Sequence, residues 1–285
     1  MPHTKATIMI TDLLLAISHN RGDHSALAAG IALAERTDAH LAVLICVPLT
    51  IPIVFEWSAL PADLYTRVHE AERERAQAIA EQLRQKLAPS GVRADVRVVE
   101  TQLIPPASMA AMHARHADLA IVAGVAGEAP GWGENIFLDL LFESGRPVLV
   151  VPPQYKPRPI RHAVVAWQTT REATRAVHDS LPLLKLAETV DVLVVDPVIA
   201  DSRHGQEPGA DIATHLARQG LRVRVVARPL MGERAPTVIV RQAVETGADL
   251  VVAGGYSHSR IRESLLGGAT RTLLETCPVP VLLSH

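Results

Sequence analysis

The segment ADLAIVAG at 117–124 returns as ADLVVAGG at 248–255, 131 residues further on. RPVLVV from Arg146 and CPVPVL from Cys277 keep that same spacing. Nearer the front, the run ending in Cys46-Val47-Pro48 matches one ending in Val195-Asp196-Pro197, 149 residues later. A chain that repeats itself in this order is built from two copies of one supersecondary unit. The 18-residue excess falls in the first copy between its second and third strands, where TIPIVFEWSALPADLY precedes a charged helix.

Within each copy, apolar runs of strand length alternate with helical patterns. The first copy predicts strands near 12–18, 40–47, 93–99, 118–124 and 147–151, with helices near 24–37, 63–87, 106–116 and 136–143. The second predicts strands near 162–167, 191–196, 221–227, 249–254 and 279–283, with helices near 171–187, 207–219, 234–246 and 259–275. Runs such as VDVLVV lack polar alternation, as strands covered on both faces do. Strand–helix alternation requires crossover connections, hence parallel strands in right-handed βαβ units. The fold class is α/β, doubly wound, twice over. The proline-rich stretch VPPQYKPRPIR at 151–161 is a semi-rigid linker between domains at 1–153 and 159–285.

Composition agrees. Hydrophobic residues make up 48% of the chain but aromatics only 3%, so the cores are aliphatic, as under a parallel sheet. A formal net charge of −2 gives only weak long-range attraction to nucleic acid and leaves room for a local basic patch, and no apolar run reaches membrane-spanning length. Cys46 and Cys277 form no CxxC pair, which suits a reducing, cytoplasmic setting.

The segment from Gly254 to Thr270, GGYSHSRIRESLLGGAT, follows a buried strand and leads into a helix. That placement puts free backbone N–H groups at the carboxyl edge of a parallel sheet, where anionic ligands settle. Gly254 and Gly255 let backbone approach a phosphate, Ser257, Ser259 and Thr270 offer hydroxyls, and His258, Arg260 and Arg262 offer charge.

This segment resembles the nucleotide loop of the universal stress protein family, written G-x2-G-x9-G-[ST]. Gly254 and Gly267 fit; Ser257 stands at the second glycine and Gly268 at the hydroxyl position, with Thr270 two places on. The resemblance extends through both copies. It implies two tandem Rossmann-like domains, each with a five-stranded parallel sheet of order 3-2-1-4-5, often paired through the last strand. It also implies ATP binding in some members, with an Asp after the first strand holding the adenine side. In the second copy Gln168, in AVVAWQTTREA, stands in that place. In the first copy the turn AISHNRGDHSA leaves Asn20 and Asp23 as alternatives. Its loop has Gly124 and Gly127, one place late against the repeat, and Phe137 nine residues after, so this copy has lost the ligand site.

The expected ligand is therefore an adenine nucleotide, ATP, held in the second domain by Gly254, Gly255, Ser257, Gly267, Gly268, Thr270 and Gln168. The alternative is an interaction module whose ligand sites are both degraded. No general base stands at a usable spacing, so the ligand is a regulator and the protein is not an enzyme; Asp249 opens a strand. His113 and His116 share a helical face without a third metal ligand, and Ser257-His258 lacks a nucleophile elbow. The charged helix RVHEAERERAQAIAEQLRQKL packs Val68, Ile79, Leu83 and Leu87 inward, and the insertion with Phe55 and Trp57 either folds over its core or forms a contact surface. Pairing of Pro147–Val151 with Pro278–Leu283 would satisfy both edge strands as an internal pseudo-dimer, and two chains can pair further.

Overall fold

The computed structural model describes residues 9–18, 22–48, 62–101, 104–124, 132–197, 207–255 and 268–285. In the first half, β1 (Asp12–Ala16), α1 (Asp23–Thr37), β2 (His40–Pro48), α2 (Ala62–Leu87) and β3 (Ala94–Thr101) lead to α3 (Pro106–Ala114), β4 (Leu119–Ala123), α4 (Trp132–Glu143) and β5 (Val148–Val151). The second half runs β6 (His162–Ala166), α5 (Arg171–Leu184), β7 (Thr189–Val195), α6 (Ala210–Arg218), β8 (Val223–Arg228), α7 (Ala235–Thr246), β9 (Leu250–Gly254), α8 (Gly268–Thr276) and β10 (Val281–Ser284). Each half has the strand order 3-2-1-4-5, and the two join into one ten-stranded sheet, β3-β2-β1-β4-β5-β10-β9-β6-β7-β8.

Every pairing inside a half is parallel, whereas β5 and β10 meet antiparallel, with Val150 opposite Val281 and Val148 opposite Leu283. The internal pairing expected from the edge-strand argument is thus the seam of the molecule. It removes two bare strand edges at once. Helices cover both faces: α1, α2, α5 and α6 pack on one side, α3, α4, α7 and α8 on the other. Inner strands such as β4 and β5 are buried at every position, which is why they read as unbroken apolar runs. The terminal strand β8 is half exposed and carries Arg224 and Arg228.

The ADL motif is explained by its aspartate. Asp118 accepts from the Thr11 and Asp12 amides at 2.8 and 3.1 Å, and Asp249 from the Arg161 and His162 amides at 2.8 and 3.0 Å. Each carboxylate ties the start of the fourth strand to the start of the first, and Asp249 also pairs with Arg158 of the linker at 2.6 Å. Burial pushes the Asp118 carboxyl up, but the Thr11 and Asp12 amides, the Thr11 hydroxyl and Arg146 outweigh it and hold it below the usual range.

Three expectations need correction. Ala120 pairs with Val148 and Val251 with Val281, so the last strands correspond at an offset of 133, not 131. The Ala120 amide donates to Pro147 and the Val251 amide to Pro280, both at 3.0 Å, so Pro280, not Pro278, is the counterpart of Pro147. The doubled proline of CPVPVL made the other alignment look equally good. Helix α4 begins at Trp132 rather than near 136, because the buried face of Ile136, Phe137, Leu140 and Leu141 carries the turn before it into the helix. Within α2 the expected inward face is confirmed at Leu83 and Leu87, which are buried, but Val68 is 44% exposed. The insertion with Phe55 and Trp57 lies outside the described residues.

Candidate functional site at the carboxyl edge of the second sheet

β6 and β9 lie side by side, Ala166 opposite Ala253, and their chains leave for opposite faces of the sheet, toward α5 and α8 respectively. This is the switch point of the second half, the crevice where doubly wound sheets take ligands. Gln168, Gly254, Gly255, Gly268 and Thr270 all belong to this edge; Ser257 and Gly267 lie outside the described residues, as do His258, Ser259, Arg260 and Arg262.

The structure gives the two leading glycines packing reasons of their own. A Cβ on Gly254 would come within 2.6 Å of the Ala173 nitrogen and 2.7 Å of the Glu172 carbonyl carbon, both backbone atoms of α5. Gly254 therefore sets how closely α5 lies on β9. The Gly255 amide donates to the Ser284 carbonyl at 2.9 Å, just as the Gly124 amide donates to Val151 at 2.7 Å in the first half. Gly255 thus matches Gly124 across the repeat, and its N–H is already spent on the sheet. A Cβ there would touch Leu141 of α4 at 3.0 Å, so the first half packs against the start of the loop.

Gln168 is exposed, and its main-chain carbonyl accepts from the Thr170 amide at 2.7 Å. Thr170 then caps α5, its hydroxyl oxygen accepting from the Ala173 amide at 3.2 Å. In the first half β1 and β2 keep the register of β6 and β7, which sets Ser18 in the place of Gln168. Asp23 does not hold that position, and Asn20 lies outside the described residues. Asp23 accepts from the Ser18 amide at 3.1 Å and from its hydroxyl at 2.7 Å, a local turn lock.

The described part of α8 begins at Gly268. A Cβ at Gly268 would meet an Arg234 guanidinium nitrogen at 2.9 Å. Arg234 caps α7 at the same sheet edge, and α7 packs beside α8. Among the described residues it forms no ion pair. Sequence reading missed it, because nothing local marks an arginine that acts on a neighbouring helix. Thr270 is buried. The α4 and α8 burial patterns coincide at an offset of 133, Leu140 with Leu273 and Ser144 with Cys277. Phe137 therefore fills the place of Thr270, not that of a loop glycine.

Among the described residues, no group of three or more histidine, cysteine or acidic side chains could hold a metal. Burial lowers the His113 pKa, and Arg97 and His116 lower it further. Burial also pushes the Cys46 thiol up to about 12 and Cys277 up to about 11, so neither serves as a nucleophile. No described helix is long and apolar enough to cross a membrane.

A sequence model of the universal stress protein family matches residues 159–285. No curated protein matches the chain. Among solved structures, a universal stress protein from Archaeoglobus fulgidus DSM 4304 superposes with a TM-score of 0.72 at 15% identity, over 96% of both chains. A functionally unknown protein from Pseudomonas aeruginosa PAO1 superposes with a TM-score of 0.61 at 17% identity, over 96% of this chain and 92% of that one. Residues 159–285 therefore match the universal stress protein family, in a chain that shares its fold along 96% of its length with the Archaeoglobus fulgidus universal stress protein.

Proposed function

We propose that the second domain binds an adenine nucleotide, ATP, as a regulatory ligand that is held but not turned over. The observation that carries this reading is the guanidinium of Arg234 resting against Gly268, the first described residue of α8. A cation at the positive end of a helix dipole is unfavourable by about 0.3–1 kcal/mol, and an anion between the two reverses the sign. Phosphates at this point would accept from the first amides of α8, at Gly268 and after, and from Arg234. Gln168, exposed on the loop after β6, would offer its amide to the base or ribose in place of a carboxylate. Ser257 and Gly267 complete the proposed cradle from the sequence pattern, and Gly254 and Gly255 shape its floor rather than donate to it.

A second reading, a protein that works through its surfaces without a ligand, is favoured by one specific observation: the Gly255 amide is committed to Ser284. Calorimetric titration with ATP and magnesium separates the two. The nucleotide reading expects saturable heat, and Arg234→Ala weakens binding by roughly tenfold, about 1.4 kcal/mol, with an unchanged circular dichroism spectrum. No heat and no melting shift at millimolar ATP would leave the ligand-free reading standing.

A further inference from the structure

We propose that His178 and His215 form a two-histidine site for a divalent transition-metal ion, bridging α5 and α6 of the second domain. The two rings come from different helices on the same face of the sheet, their centroids 5.2 Å apart and their planes inclined by 50°. A tetrahedral ion bound to two imidazole nitrogens at about 2.0–2.1 Å sets ring centroids about 5 Å apart, so little rearrangement separates this pair from a chelate.

Hydrogen bonding supports the same assignment. Nδ1 of His178 lies 2.9 Å from the Thr174 carbonyl. A carbonyl only accepts, so Nδ1 carries the proton and the Nε2 lone pair is left for a ligand. A partner of this kind is what orients metal-binding histidines. Nε2 of His215 is buried and has no hydrogen-bond partner. An orphaned buried nitrogen of this kind is destabilising, and coordination would satisfy it. His178 is exposed, so solvent reaches the pair. With two protein ligands, water fills the remaining positions, and the chemistry selects imidazole-preferring ions: copper(II), nickel(II) or zinc(II).

The test is copper(II) titration of the full chain, read by calorimetry and by electron paramagnetic resonance that counts coordinated imidazoles. The other histidines give a background, which the His178→Ala/His215→Ala double variant measures. Wild type should show a site that the double variant lacks, with two coupled imidazole nitrogens. Either single variant should weaken that site at least roughly tenfold and leave one coupled nitrogen. His178→Ala alters an exposed side chain, so its result stands even if His215→Ala unsettles α6. Equal copper affinity and unchanged imidazole coupling in His178→Ala would overturn the proposal and leave the two rings as a packing contact.

Discussion

Gly254 illustrates how one residue can satisfy a motif for a reason the motif does not state. Its backbone lies against the backbone of α5, where no side chain can give way. Gly254→Ala should therefore destabilise the protein by about 1–3 kcal/mol even without ligand. Gly255→Ala, which meets only the end of the Leu141 side chain, should cost less. Thermal melts of both variants check the order, and equal melting temperatures would remove the packing role given to Gly254. Asp191 is a second case. It is buried on β7, held by Arg224 at 2.7 and 3.0 Å, by Gln242 at 3.2 Å and by His162 at 3.3 Å. Burial pushes its carboxyl up, but Arg224 and His162 outweigh that and hold it below the usual range. A depressed carboxyl stabilises the fold fully above the unfolded value of about 4, and the benefit is lost as pH falls through the folded value. The stability gap between wild type and Asp191→Asn should thus shrink as pH falls below about 4. Urea melts across that range measure it; a gap that persists at pH 3 would show that charge is not its source.

At the scale of elements, apolar pattern and punctuation made most boundaries legible. The four helices α1, α3, α5 and α7 start within a residue of expectation, because proline at the first turn of α3 and α7 and threonine before α5 are local signals. Glycine-containing approaches misled. Trp-Gly-Glu-Asn reads as a loop, yet it opens α4, since burial of the next two turns outweighs a weak start. The offset of the last strands was misread for a related reason. Pro278 and Pro280 are equivalent to a pattern, and only the ladder to β9 tells them apart.

For the whole molecule, the seam between β5 and β10 decides the architecture. Two domains that share a sheet behave as a dimer whose partners are covalently joined. Residues 159–285 expressed alone would leave the β10 edge bare, and a strand that pairs antiparallel with its counterpart is suited to pair with its own copy. Sedimentation of that fragment should therefore show a dimer, and a folded monomer would mean that the seam contributes less than its position suggests. The candidate site divides along the same line. Its position after β9 was legible, because a glycine pair following a buried strand is a local fact. Arg234, the committed Gly255 amide and the place of Phe137 were not, because each depends on what another element brings alongside. The amino-acid order alone determined the duplicated α/β plan, since periodicity and proline punctuation act within a few residues. Only the tertiary structure decided which amides the sheet already uses, because a hydrogen bond such as that from Gly255 to Ser284 is set by packing and leaves no local trace.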